Sequence, residues 1–168
     1  GVKAGVANQS NVFTNAFGTD STMLRRLANI GRNFKNDSGI VQGYTFDTII
    51  IPGNCYALED TISRIIRSDL IVGSNNNDVN TQKGLWKLIV LPTWQAAAGK
   101  NPYIIMSSEA NKELRGTVLF DRTVLDVRNW VDDHTRNLLW NGRARMSCGF
   151  NNWRHMIMGG ADAGTTLS

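Results

Sequence analysis

Long hydrophobic runs are missing from this 168-residue sequence. No apolar stretch approaches the roughly 18 residues that a membrane-spanning helix requires. The first ten residues, GVKAGVANQS, also lack the charged and then apolar layout of a secretory signal peptide. We therefore expect synthesis inside the cell and no membrane partner.

Cysteine is scarce, with only Cys55 and Cys148 in the chain. Two cysteines are too few for a disulfide scaffold, and the paired spacing of structural zinc ligands is absent. Cys148 falls on the apolar side of a predicted strand. We therefore predict a reduced, packed thiol there rather than a bond to Cys55.

Charged residues make up only 19% of the chain, and the formal net charge is +4. Such a mild excess permits contact with a polyanion without requiring it, so ordinary surface charge is the favoured interpretation. Hydrophobic residues make up 42%. A chain of this length and composition is able to bury the core of one domain, with room for a small additional lobe.

Catalytic motifs are missing as well: neither a nucleophile elbow, a P-loop nor a dinucleotide-binding fingerprint occurs. His134 follows Asp132 and Asp133, which suggests a general base beside a carboxylate. Residues adjacent on a turn rarely point at one another, however, and no partner nucleophile is evident. We therefore predict a solvated turn and a protein that is not an enzyme, with no catalytic, cofactor-binding or metal-binding residue.

The first two thirds of the chain read as alternating helices and strands on a mixed sheet, an α+β arrangement. Apolar residues at helical spacing predict two amphipathic helices, and short apolar runs predict three strands. A polar stretch, SNNNDVNTQKG, predicts an adaptable loop between residues 72 and 84. The helix stripes are Met23, Leu24, Leu27, Ile30 and Phe34, then Leu58, Ile62, Ile65 and Ile66; the strands are 45–52, 85–92 and 103–107, followed by a short helical turn at 109–115.

The last third shows the clearest pattern. Ala144, Met146, Cys148 and Phe150 alternate with Arg143, Arg145, Ser147 and Gly149, which predicts a strand with one apolar and one basic face. The β-branched run at 124–131 and the polar turn after it predict a long C-terminal β-hairpin. A short helix over 130–140 is the alternative, because Trp130, His134 and Leu138 also fit helical spacing. We expect the apolar face to pack on the helix-and-strand core.

Four residues near the end are candidates for a binding surface: Arg143, Arg145, Trp153 and Arg154. Arginine suits planar, bidentate pairing with carboxylates across a subunit contact, which favours an interface. Basic sheets with aromatic side chains also bind single-stranded nucleic acid. Against this second interpretation, Phe150 and the arginines of its strand have opposite parity. Simple packing of Trp140 and Trp153 inside the protein is the third possibility.

Three stretches of the chain resemble the major capsid proteins of tailed bacteriophages. TFDTIIIPGNCYALEDTISRIIRSD (45–69) is similar to a strand that ends in proline and leads into a helix of that family's axial domain. LWKLIVLPTW (85–94) resembles the next strand. NGRARMSCGFNNWRHMIMGGA (141–161) resembles the end of such coat proteins. The likeness runs in matching order from about residue 19 to residue 161.

The resemblance implies the Hong Kong 97-type capsid fold, with an axial domain and part of a peripheral domain. It implies an arm or extended segment at 1–18, an axial-type domain at 19–120, and a hairpin returning to a peripheral-type domain and tail at 121–168. The implied protein is the C-terminal part of a coat protein, since the family's N-terminal arm, extended loop and spine helix are not found before Gly1. Its implied partners are copies of itself in pentamers and hexamers, the N-terminal remainder of the coat protein, and packaged double-stranded DNA bound non-specifically. The implied location is the virion, assembled in the bacterial cytoplasm.

Overall fold

The computed structural model describes residues 9–71, 78–162, 164 and 166. The chain is α+β, with a mixed sheet, three helices and a separate hairpin in this described part, which confirms the predicted class and the hairpin. The elements are α1 (Thr22–Arg32), β1 (Thr48–Pro52), α2 (Tyr56–Arg67), β2 (Lys87–Leu91), β3 (Tyr103–Met106), α3 (Ser108–Leu114), β4 (Thr117–Val131), β5 (Leu138–Phe150) and β6 (Met156–Gly159).

The central sheet has four strands in the order β2-β1-β3-β6. β1 and β2 run parallel and are connected through α2, whereas β1–β3 and β3–β6 are antiparallel pairs. Parallel neighbours need a long crossover, and the helix predicted after Pro52 provides it. The last strand, β6, brings the end of the chain back to this sheet.

The two long helices bury the stripes that their spacing predicts. Leu24, Leu27 and Ile62 are fully buried. They join the strand residues Ile49 and Ile105 in one apolar cluster. α1 begins where Asp20 accepts hydrogen bonds from the amide and hydroxyl of Thr22, which satisfies an otherwise free amide of the first turn. None of the helices in the described ranges has both the length and the hydrophobicity needed to cross a membrane.

The N-terminal segment is anchored to the sheet from residue 11 onward. Val12 forms a parallel bridge with Met158, and Phe13 and Phe17 are buried. The ring of Phe17 meets that of Tyr103 edge-on at 5.0 Å. The predicted extended segment therefore supplies part of the core, although its residues 1–8 lie outside the described residues.

One end of the predicted polar loop is also anchored. Asn80 is buried and donates hydrogen bonds to the carbonyl oxygens of Ile65 and Ser68 at 2.5 and 3.0 Å. Residues 72–77, the first half of the stretch predicted to adapt, lie outside the described residues. At Asp78 this loop is tied to the segment that follows α2, because the amide of Ile71 donates to the Asp78 carbonyl at 3.0 Å.

Candidate functional site

The hairpin, defined here as residues 117–150, is the largest feature outside the core. β4 has 15 residues and β5 has 13, whereas strands of globular proteins usually have five or six. At about 3.3 Å per residue the ribbon is roughly 45 Å long. Within the described ranges its two strands pair only with each other, so they form a second, two-stranded sheet.

The alternative of a short helix over 130–140 is excluded, since β4 continues to Val131 and β5 starts at Leu138. The exposed turn between them holds His134, whose amide donates to the Asp132 side chain. That bond and one from the hydroxyl of Thr135 lower the pKa of Asp132. The prediction of a solvated turn here is confirmed.

The apolar face of the hairpin is uncovered. This corrects the expectation that it packs on the core. β5 alternates apolar side chains toward this side, where β4 contributes both apolar side chains and the polar Asp121 and Asn129. Cross-strand partners such as Leu119 and Cys148 share this side. Eight large members are between 54% and 76% exposed: Leu119, Leu125, Val127, Val131, Leu138, Trp140, Met146 and Phe150.

Cys148 lies on this face and is exposed, so the predicted packed thiol is wrong. The alternation correctly assigned Cys148 to the apolar side, but no layer of the core lies against that side. Cys55 is buried at the start of α2, and burial raises the pKa of its thiol. Both cysteines are free.

The opposite side, called here the arginine face, carries Arg143 and Arg145 together with aromatic rings that the sequence did not indicate. Phe120 pairs with Ser147, and Trp130 pairs with Leu139, so both rings share the side of the two arginines. Their exposed fractions are 58% and 48%. This face combines positive charge with accessible aromatic surface, as single-strand binders do.

The charge on the hairpin as a whole is nearly balanced. It contains five arginines, at 122, 128, 136, 143 and 145, and four aspartates, at 121, 126, 132 and 133, which leaves a net charge of 5 − 4 = +1. Part of this charge is paired, because Arg128 contacts Asp126 at 2.9 Å. The hairpin is therefore more apolar than basic in character.

The other two predicted interface residues lie in the body of the protein. The Arg154 guanidinium donates to the Lys35 carbonyl at 2.9 Å and to Asp37 at 2.7 Å. It also stacks over the ring of Trp153, which meets Phe34 edge-on. The structure thus brings Arg143 and Arg145 together on the hairpin and separates them from Trp153 and Arg154. The latter two fasten the segment before β6 to the segment that follows α1.

The root of the hairpin contains a buried histidine. His155 is fully buried, and its Nε2 lies 2.9 Å from the hydroxyl of Thr117. Gly116 lies against the imidazole so closely that a Cβ placed there would be 2.2 Å from Nδ1. The amide of Asn151 donates to the Gly116 carbonyl at 2.7 Å and closes the base of the ribbon.

A shallow cleft of about 310 Å³ between α1 and the segment before β2 is lined by Arg25, Arg32, Phe46, Asp47 and Trp86. Its carboxylate is already engaged, because Asp47 accepts from the amide and the hydroxyl of Ser108. Burial alone would raise the pKa of Asp47, but these hydrogen bonds outweigh it and lower the pKa. In the described part of the chain no group of three or more histidine, cysteine, aspartate or glutamate side chains is placed to hold a metal ion.

None of the protein-family models and none of the curated proteins compared with this chain matches it.

Proposed function

We propose that this chain is a structural subunit of an icosahedral virus shell, the C-terminal part of a major capsid protein with the Hong Kong 97-type fold. The observation that carries the proposal is the uncovered hairpin. A two-stranded ribbon is at best marginally stable alone in water, and exposed apolar patches of this extent mark protein contacts. The hairpin is therefore expected to be covered by other protein, either copies of this chain or the N-terminal remainder of the same coat protein.

The free energies expected for covering the apolar face agree with a contact that is modest by itself and repeated many times. Fully burying an aliphatic or aromatic side chain contributes roughly 1.5–3 kcal/mol, and the eight large side chains of the apolar face are about half to three quarters exposed. Covering them contributes on the order of 10 kcal/mol before costs. Association itself costs an estimated 4–15 kcal/mol. One such contact is weak alone, whereas many of them in a closed, symmetric shell reinforce one another.

Residues 19–120 supply three of the four strands of the central sheet, which we assign to the axial-type domain. β6, from the last part of the chain, is the fourth strand, and the hairpin extends from this sheet as the peripheral-type element. Copies occupying pentameric and hexameric positions would meet at different angles. The polar loop residues between α2 and β2 are suited to such variation, since polar, hydrated contacts tolerate small shifts.

The proposal is tested by particle size. The chain, alone and co-expressed with the coding region that precedes it, is analysed by sedimentation and by negative-stain electron microscopy. Megadalton shells that enclose DNA are the expected result for the co-expressed material. Monomers that persist under all assembly conditions, with and without the preceding segment, would contradict the proposal.

A second function is favoured by the arginine face, namely single-stranded nucleic-acid binding. Phe120 and Trp130 lie on the same side as Arg143 and Arg145, which removes the objection that aromatic and basic residues point apart. Stacking on an aromatic ring contributes about 1–3 kcal/mol per base. The small net charge of the hairpin and the engagement of Arg154 with Asp37 argue for the shell subunit instead.

Salt dependence separates the two functions. If the hairpin binds single strands, Arg143→Ala together with Arg145→Ala will lower the affinity for a short oligonucleotide. It will also reduce the slope of log K against log salt by about 1.4, at 0.7 for each lost phosphate contact. Arg136→Ala, at the turn, is the matched control. Binding weaker than millimolar at 50 mM salt would exclude this function. An equal loss of affinity in the double variant and in Arg136→Ala would exclude it as well.

A further inference from the structure

The root of the hairpin joins a long, solvent-exposed ribbon to a compact core at very few points. β4 and β5 contact each other extensively, but the hairpin's links to the core are concentrated at residues 116, 117 and 151. Gly116 donates to the Asn111 carbonyl, and the amide of Thr117 donates to the Asn111 side chain. Any change at this root therefore changes how the whole ribbon is held.

His155 is the group that packs between this root and the sheet. Its carbonyl accepts from the Ser107 amide at the end of β3, which fixes its main chain to the core. Its ring contacts Gly116 and Thr117 on the hairpin side. The histidine thus links the two bodies through one side chain and one main-chain bond.

The surroundings of the His155 imidazole disfavour its charged, protonated form. Nδ1 has no hydrogen-bond partner among the described residues, although it is fully buried. Burial lowers the pKa of His155, and the main chain of Asn152 opposes that shift only in part. A second proton would therefore lie in a desolvated site, where the Asn152 main chain offsets only part of the free-energy cost of the charge.

Neighbouring charged side chains do not compensate. Arg154, the next residue, directs its guanidinium to Asp37, and Asp47 is occupied by Ser108. Lys112, Glu113 and Arg115, on and just after α3, are exposed to solvent. No charged group among the described residues contributes to the pKa of His155.

We propose that His155 is a pH-sensitive latch that holds the hairpin root to the core when neutral and releases it when protonated. The released state exposes the ring to water, where it accepts the proton freely. The latch operates whether or not the chain is a shell subunit. In a shell, acidification would open the latch and so change the angle between the hairpin and the core of the same subunit.

The direction of the effect follows from proton linkage. The open state binds a proton near the ordinary histidine value of 6.5, and the latched state binds one only at lower pH. The open fraction is therefore at its lowest, and independent of pH, well above pH 6.5. It rises by up to about tenfold per pH unit below that value, until the latched state is protonated too. Asp47 responds only in the acidic range below its ordinary value of 3.8, outside this window.

Amide hydrogen exchange, corrected for intrinsic pH effects, measures the open fraction between pH 7.5 and 5. We expect protection of the Gly116, Thr117 and Asn151 amides to fall by up to about tenfold per unit below pH 6.5, while the amides of β1 and β3 keep theirs. His155→Gln, which cannot titrate, is expected to abolish this pH dependence. His134→Gln, which removes the exposed turn histidine, is expected to leave it intact.

Two results would overturn the latch. One is constant root protection over the whole range in the unaltered chain. The other is a parallel loss of protection in β1 and β3, which would mean that protonation unfolds the core rather than the root. If His155→Gln does not fold, Thr117→Val replaces it. That change removes the only described hydrogen bond to Nε2, so it is expected to lower root protection already at pH 7.5. Unchanged protection at pH 7.5 in Thr117→Val would count equally against the latch.

Discussion

Leu125→Asp is expected to weaken assembly of the chain by at least about 100-fold while leaving the isolated subunit folded. Leu125 lies in the middle of the apolar face and is 64% exposed, so little packing within the subunit is lost. At a contact between proteins the change removes apolar burial and places a carboxylate in a dry interface. These effects together cost roughly 3 kcal/mol or more, and each 1.4 kcal/mol is a factor of ten.

Sedimentation and electron microscopy of the assembling material measure this effect, and urea unfolding of the subunit reports its stability. Leu85→Asp is the matched control, because Leu85 is 60% exposed and lies outside the hairpin. Surface changes of this kind usually alter stability by less than about 0.5 kcal/mol. Equal assembly by the two variants would show that the apolar face of the hairpin is not the contact.

The hairpin shows which structural features the sequence pattern predicts and which it does not. Alternation from Arg143 to Phe150 correctly predicted a strand and correctly divided its residues between two faces, since the period of two is a local property. The same pattern predicts a buried Cys148 side chain, whereas that side chain is exposed. Whether a face is covered depends on a third layer of structure, and here the core does not extend beneath the ribbon.

The arginine face was missed because its composition depends on how the two strands align. The aromatic rings come from β4, and pairing across the hairpin passes through two irregularities, between Asp121 and Thr123 and between Thr123 and Asp126. Each adds one residue to β4 relative to β5, and together they restore the original parity. Such bulges have no reliable signature in a single sequence.

Trp153 and Arg154 illustrate a different limit of prediction from sequence, because their roles depend on residues far away in the chain. An aromatic ring followed by arginine suits an intermolecular surface as well as an internal clamp, and the choice depends on Phe34 and Asp37, more than a hundred residues earlier. Arginine's stem and planar head serve both roles. The interface role of Arg143 and Arg145 remains a prediction, whereas Trp153 and Arg154 have internal contacts that explain them.

Gly31→Ala is expected to destabilise the fold by about 2 kcal/mol, although alanine is the better helix former. In an exposed helix this change would stabilise by roughly 0.5–1 kcal/mol. In α1, however, a Cβ at this position would lie 2.1 Å from Cε2 of Phe46, a buried ring. Overpacking of this kind costs typically 1–3 kcal/mol, and a contact this close should place it at the upper end and outweigh the helix preference.

Urea unfolding measures this loss of stability. The m-value is expected to stay unchanged, because Gly31→Ala affects packing in the folded core and not the compactness of the unfolded chain. Asn29→Ala, at an exposed position of the same helix, is the matched control and is expected to be neutral or slightly stabilising. Phe46→Leu makes room at the contact, so the double variant should lose less stability than the sum of the two single changes. Strict additivity, or a gain in stability from Gly31→Ala alone, would mean that α1 does not approach Phe46 as closely as described. The close approach of helix and ring is one of the contacts that position α1 in the core, beside its buried Leu24 and Leu27.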